Sequence, residues 1–303
     1  MRLRWKPERK KPLSASSKSN FKVRASFAIF LGALFLSCVT TPPDRSQEHW
    51  FRYLPPYPQV FLDVKPVMNR TFFQEAFRDH SLGGVIDRSV RMLMGLEVSR
   101  RGVSLRGVVL GDFPKGLGGL YLDLEEGFQK TPGPREQWAS DTGLYVRLVE
   151  DGVVAVASTP FEEVITLDAG FPADLPQLEI DRPVTIVLPN PGESFLGDRG
   201  DNLLPISKVF LFFEGEDRIL EGRMEVQLKD GPHARLGVVF TKLFWKTLKV
   251  SLFSKVDVGE PQFTQLERGG VATGWSIDPQ GLITLVDTLF STEEESVTAA
   301  SLP

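Results

Sequence analysis

Nitrogen and sulfur metal ligands are scarce in this chain, which holds three histidines, His49, His80 and His233, and a single cysteine, Cys38. No two histidines stand four residues apart and no cysteine pair accompanies them. The His/Cys ligand set of an ordinary zinc or transition-metal site is therefore missing, and neither a metal nor another cofactor is expected. The segment Gly111-Asp-Phe-Pro-Lys-Gly-Leu-Gly-Gly119 has the composition of a phosphate-cradling loop. Such a loop needs lysine directly after its last glycine, whereas here Lys115 precedes Gly116 and Leu117 follows it. The segment reads instead as a strand end turning into a weak helix, with Asp112 placed to cap it. Asp112, Asp123 and Asp278 are candidates for acid–base work, because paired carboxylates need little sequence context. A solvated turn-forming acid is the ordinary role of such residues, and no G-x-S-x-G elbow is present to make a serine hydrolase. The side chains thus point away from catalysis.

Cys38 has a more specific setting. Ala25 to Ser37, ASFAIFLGALFLS, is a run of thirteen residues without a charge, and it follows a stretch with nine basic residues and one acid. A membrane-spanning helix needs about 20 apolar residues and a signal-peptide core about 7–15, so the length favours export over spanning. The order of basic region, apolar run, small residue and cysteine resembles bacterial lipoprotein signal peptides. Phe35-Leu36-Ser37-Cys38 matches their lipobox at Ser37 and Cys38 and departs at Phe35 and Leu36, a loosening similar to spirochaetal lipoproteins. The resemblance covers the first 38 residues only. It implies that Cys38 is the lipid-attachment residue and the first residue of the mature chain. The alternative reading keeps the peptide as an anchor, with Cys38 a small buried hydrophobe. With Cys38 acylated no thiol remains for a disulfide, so stability must come from a hydrophobic core.

Charge narrows the partners. Residues 38–303 hold 26 basic against 38 acidic residues, a balance of about −12. That lacks the Lys/Arg footprint of nucleic-acid binding, and no nucleic-acid partner is expected. The expected partners are the membrane, reached through the acylated cysteine, and an envelope protein or apolar ligand. With 42% hydrophobic and 24% charged residues, the body has the composition of a folded domain.

The elements that must carry these residues form an α+β pattern stated twice. Residues 1–37 read as the signal peptide and the Pro-rich residues 38–57 as a tether, with Trp50, Phe51 and Tyr53 able to pack on the body. Residues 58–170 and 180–290 read as two related modules, each a strand, a helix and β-hairpins, with antiparallel or mixed sheets and helices on one face. Residues 291–303 form an acidic tail. The strand VFLDV, Val60–Val64, answers to VTIVL, Val184–Leu188, and each is followed by proline. After the first, MNRTFFQEAF has near-helical spacing. The hairpin around Ser99-Arg-Arg-Gly102 answers to that around Gly215-Glu-Asp-Arg218, with an offset of 115 residues between Leu105-Arg106-Gly107 and Leu220-Glu221-Gly222. Each then runs into a helix candidate. PKGLGGLYLDL is rich in glycine, while ARLGVVFTKLFWKTL puts Leu236, Val239, Leu243 and, a turn on, Trp245 or Thr247 around one apolar side. Final hairpins are expected to turn at Glu150-Asp-Gly152 and Asp278-Pro-Gln-Gly281. Thr159-Pro160-Phe161-Glu162 has capping-box spacing for a short helix.

These features predict a lipid-anchored cell-envelope protein with a non-catalytic binding or structural role, its body in the periplasm or at the cell surface on the cell or outer membrane. A carrier or chaperone for an apolar ligand such as a lipid is the alternative, and a hydrolase of envelope polymers the third.

Overall fold

Alternating apolar residues build one large sheet from this chain. The computed structural model describes residues 47–55, 58–80, 82–99, 102–124, 127–132, 136–140, 143–161, 182–192, 205–215, 218–229 and 235–286. Cys38, His233, the Thr159-Pro160 helix beyond Phe161, the join between the modules and the acidic tail lie wholly or largely outside them. The described residues belong to one compact unit, Thr40–Pro303.

In chain order the elements are α1 (Gln47–Phe51), β1 (Val60–Val64), a 3-10 turn (Pro66–Asn69), α2 (Arg70–Ala76), α3 (Gly83–Arg88), β2 (Ser89–Ser99) and β3 (Gly102–Gly111). Then follow α4 (Lys115–Leu124), β4 (Phe128–Thr131), β5 (Gln137–Ser140), β6 (Tyr145–Glu150) and β7 (Val153–Ala157). The second half holds β8 (Val184–Leu188), β9 (Ile206–Glu214), β10 (Leu220–Leu228), α5 (Gly237–Ser251), β11 (Gln262–Leu266), β12 (Gly269–Ile277) and a final helix α6 (279–286). The fold is α+β, built on one large antiparallel sheet.

All twelve strands among the described residues join that sheet in the order β11-β12-β10-β9-β8-β1-β2-β3-β7-β6-β5-β4. The centre is the antiparallel β1·β8 pair, with Leu62 opposite Ile186 and Asp63 opposite Thr185. Both strands are apolar nearly throughout because both of their faces are covered. Outward on each side comes a hairpin, β2–β3 or β9–β10. A helix, α4 or α5, then crosses over, and a second hairpin returns with its later strand innermost. The β4–β5 hairpin extends one side only.

The period of two divides the core between the faces. Val64, Val209, Leu211, Met224 and Val226 pack with Phe72 and Phe73 of α2 and with Phe244 and Trp245 of α5. Phe61, Leu93, Val108, Val153 and Val187 point the other way, against Trp50, Phe51, Tyr53 and Leu54. Helices on one face were expected, and α1 departs from that by covering the opposite face. Trp50, Phe51, Tyr53 and Leu54 are each buried to within 5% exposure, so this part of residues 38–57 packs on the body. Four apolar side chains in five residues supply enough burial to dock even a short helix.

The last expected turn is also different. Asp278-Pro279 opens α6: the Asp278 carboxylate accepts a hydrogen bond from Gly281 N–H at 2.7 Å, and proline suits the first helical position. The hairpin of that region lies earlier, β11–β12, and turns at Glu267-Arg268.

Candidate interaction surface

Helix α5 is the element whose side chains are least explained by packing. Its inner face is Gly237, Thr241, Phe244, Trp245 and Leu248, a helical spacing that sits on the second half of the sheet. Two glycines set how close it lies: a Cβ on Gly237 would fall 1.8 Å from the Gly269 carbonyl oxygen, and one on Gly270 2.5 Å from Thr241 Oγ1. Thr241 Oγ1, fully buried, donates back to the Gly237 carbonyl at 2.8 Å, which satisfies its hydroxyl without a cross-strand partner. At the helix start Gln265 Oε1 on β11 accepts a hydrogen bond from Val238 N–H.

The outer face carries a second apolar stripe. Leu236, Val239, Leu243 and Val250 are exposed by 43%, 51%, 55% and 76%, and their spacing of three, four and seven residues aligns them along one side. The sequence pattern puts Leu236, Val239 and Leu243 on one apolar side together with Trp245 or Thr247. Of these two Thr247 is exposed and Trp245 lies inward, because the larger aromatic surfaces of Phe244 and Trp245 gain more by burial than the aliphatic stripe does. Lys242, Lys246 and Lys249 flank or interrupt the stripe, and α5 has no acidic residue. Lys242 Nζ stands 5.5 Å from the Phe263 ring centroid and Lys249 pairs with Glu260. The surface is apolar with a positive fringe.

Beneath α5 lies an aromatic cluster. Trp275 contacts Phe213 at 5.2 Å, Trp245 at 4.9 Å and Phe253 at 5.7 Å between ring centroids. Gly222 admits the indole of Trp275, since a Cβ there would fall 2.4 Å from its ring. The Nε1 atoms of Trp245 and Trp275 are buried without a hydrogen-bond acceptor among the described residues. An unmade bond of this kind costs about 1–3 kcal/mol.

The carboxylates singled out in the sequence do not converge on a site. Asp123 Oδ1 accepts from the indole N–H of Trp138 at 2.8 Å, and Asp278 caps α6. The first N–H of α4 is capped by Asp151 in the β6–β7 turn, whose Oδ1 accepts from Lys115 N–H at 2.8 Å. Sequence spacing missed this cap because Asp151 lies 36 residues away from the helix start. His49 Nε2 contacts the Arg52 guanidinium, and His80 Nδ1 accepts from Leu82 N–H. Among the described residues no group of three His, Cys, Asp or Glu side chains is placed to hold a metal ion. The exposed Lys130 ammonium is held above its ordinary pKa by its hydrogen bond to Glu136, a local surface pairing. A shallow open hollow of about 480 Å³ lies between the end of β10 and the β11–β12 turn, lined by Ser207, Gln227, Lys229, Glu267 and Arg268 among others. No helix among the described residues is long and apolar enough to cross a membrane.

No family model matches the chain, and no curated protein matches it in sequence. Solved structures do share its fold. Crystal form III of TP0453 superposes with a TM-score of 0.54 at 12% identity, covering 79% of this chain and 98% of that one. Crystal form I gives 0.52 at 12% identity over 81% and 98%, and crystal form IV gives 0.51 at 13% over 78% and 96%. The chain is thus similar in fold, over nearly the whole of the solved protein, to TP0453.

Proposed function

We propose that this chain is a lipid-anchored cell-envelope protein, held to the membrane through Cys38, whose body binds rather than catalyses and does so through the outer face of α5. The observation that carries this reading is the stripe Leu236, Val239, Leu243 and Val250 with its lysines. A helix already packed on one side has no folding reason to keep a second apolar face in water. Aliphatic groups fringed by cations suit an apolar surface that bears negative charge. The test is sedimentation with phosphatidylcholine vesicles made with and without phosphatidylglycerol. The body is expected to bind only the anionic vesicles, and Leu243→Asp to abolish that binding; equal retention of the variant would overturn the assignment.

The carrier reading has its own support in the two unpartnered indole N–H groups under α5. A ligand whose acceptor oxygen reached these groups would satisfy them. Native mass spectrometry of the purified protein tests it, and absence of any copurified amphiphile counts against it.

The finer architectural reading belongs here as well. We infer that residues 58–170 and 180–290 are two related modules meeting at β1·β8. The matching strand order on the two sides of that pair supports it, with β4–β5 an addition to the first module.

A further inference from the structure

The described sheet has two edges, β4 and β11, and they are finished differently. On β4 the Lys130 ammonium lies 5.7 Å from the Trp138 ring centroid and donates to Glu136 at 2.6 Å. A lysine on an edge strand is a common guard against strand addition. β11, Gln262–Leu266, contains no charged residue and no proline, and it pairs with β12 along its whole length without a register shift. Every second residue of such a strand turns its N–H and C=O away from its neighbour. Among the described residues no strand other than β12 pairs with it. The edge is also held in place by a side chain: Gln265 Oε1 accepts from Val238 N–H, and Gln265 Nε2 donates to the carbonyls of Leu266 and Gly269. An ordered, unguarded edge is a template for an added strand, and its order lowers the cost of binding one.

Charge selects the strand. Lys242 Nζ stands 5.5 Å from the Phe263 ring centroid, and Lys249 pairs with Glu260, which lies just before β11. From Lys242 to Lys249 the helix rises about 10 Å, and from Phe263 back to Glu260 the chain spans about 10 Å, so α5 runs beside β11 in the opposite direction. Lys246 falls between the two, one turn from Lys242, and α5 has no acidic residue. The three ammonium groups therefore form a row along the edge, on the face where Phe263 and Gln265 lie. Two copies paired β11 to β11 would set such rows against each other, a repulsive arrangement. We propose that β11 accepts an extended segment of a partner protein that carries acidic residues at alternate positions. The segment's backbone extends the sheet. Its acidic side chains, about 6.7 Å apart, fall beside Lys242 and Lys246, which are separated by a rise of about 6 Å. The intervening side chains lie beside Gln262, Thr264 and Leu266, where uncharged residues suit. This surface adjoins the outer stripe of α5 and does not depend on what that stripe binds.

Titration calorimetry and hydrogen exchange of the purified full chain test this, with a short peptide alternating valine and glutamate as the probe and the valine–lysine peptide as its control. The glutamate peptide is expected to slow amide exchange in residues 262–266 and to bind about tenfold more tightly than the control, the combined effect of two exposed ion pairs. Lys242 and Lys246 are both exposed, so the double variant Lys242→Glu, Lys246→Glu keeps the fold and is expected to reverse the preference. Of two glutamate peptides methylated on the alternate sets of backbone nitrogens, one is expected to lose binding, because only one set of N–H groups faces β11. Equal binding of both methylated peptides would mean ion pairing without strand addition and overturns the proposal. So does unchanged exchange in β11, or a preference that the double variant leaves unaltered. A dimer whose β11 amides are protected before any peptide is added makes a second copy the occupant and overturns it as well.

Discussion

At the scale of single residues, the sheet centre contains one costly choice. Asp63 is buried to 2% exposure on β1 and accepts two hydrogen bonds from the Arg91 guanidinium, at 2.9 and 2.7 Å. A bidentate pair of this kind is held firmly, yet most of its attraction is offset by desolvation. Its removal is therefore asymmetric. Arg91→Met strands a buried carboxylate and is expected to lower unfolding stability by about 3–5 kcal/mol, whereas the double variant Asp63→Leu, Arg91→Met recovers most of that loss. Urea titration of the three proteins decides it; a double variant no more stable than Arg91→Met would show the pair to be a net stabiliser. Gly222 gives a second residue-level expectation. A methyl there meets the Trp275 indole, so Gly222→Ala should cost about 1–3 kcal/mol and shift the near-UV dichroism of the tryptophans.

At the scale of elements, α4 shows why a glycine-rich sequence still forms a helix. Asp151 supplies its cap from another turn, and the glycines let it lie close to its neighbours: a Cβ on Gly118 would stand 3.1 Å from Leu148, whereas one on Gly116 meets nothing within 4 Å. Asp151→Ala is therefore expected to cost about 1 kcal/mol. Gly116→Ala should gain about 0.5–1 kcal/mol by restricting the unfolded chain and favouring helix. Thermal melts of both variants check the opposite signs. Hairpins were legible in the sequence because turn residues and alternation are local, as at Ser99–Gly102 and Glu150–Gly152. The β4–β5 hairpin was not, because four-residue strands flanked by Gly127 and Gly143 carry too little periodicity. The outer stripe of α5 was legible only as apolar; its direction depended on Phe244 and Trp245 reaching a partner, Trp275, on a strand 30 residues later in the chain.

At the scale of the whole molecule, the two halves share a sheet, and the shared pair is the shortest route between them. Ile186 on β8 is opposite Leu62 on β1 and Leu211 on β9, so its backbone lies between ladders belonging to both halves. Proline there removes an N–H and clashes within a central strand, a position where sheets do not tolerate it. If β1·β8 is what makes the body a single cooperative unit, Ile186→Pro should lower amide protection together in β2–β3 and in β9–β10, although only the second hairpin adjoins the substituted strand. Hydrogen exchange with mass spectrometry resolves the two hairpins as separate peptides. Unchanged protection in β2–β3 alongside loss in β9–β10 would mean that the halves are independently stable and merely abut. Joint loss would mean that the continuous sheet, and not either half, is the folding unit. In that event the outer face of α5 depends on residues as distant as Phe61 and Leu93, since both core clusters are anchored on the same central strands.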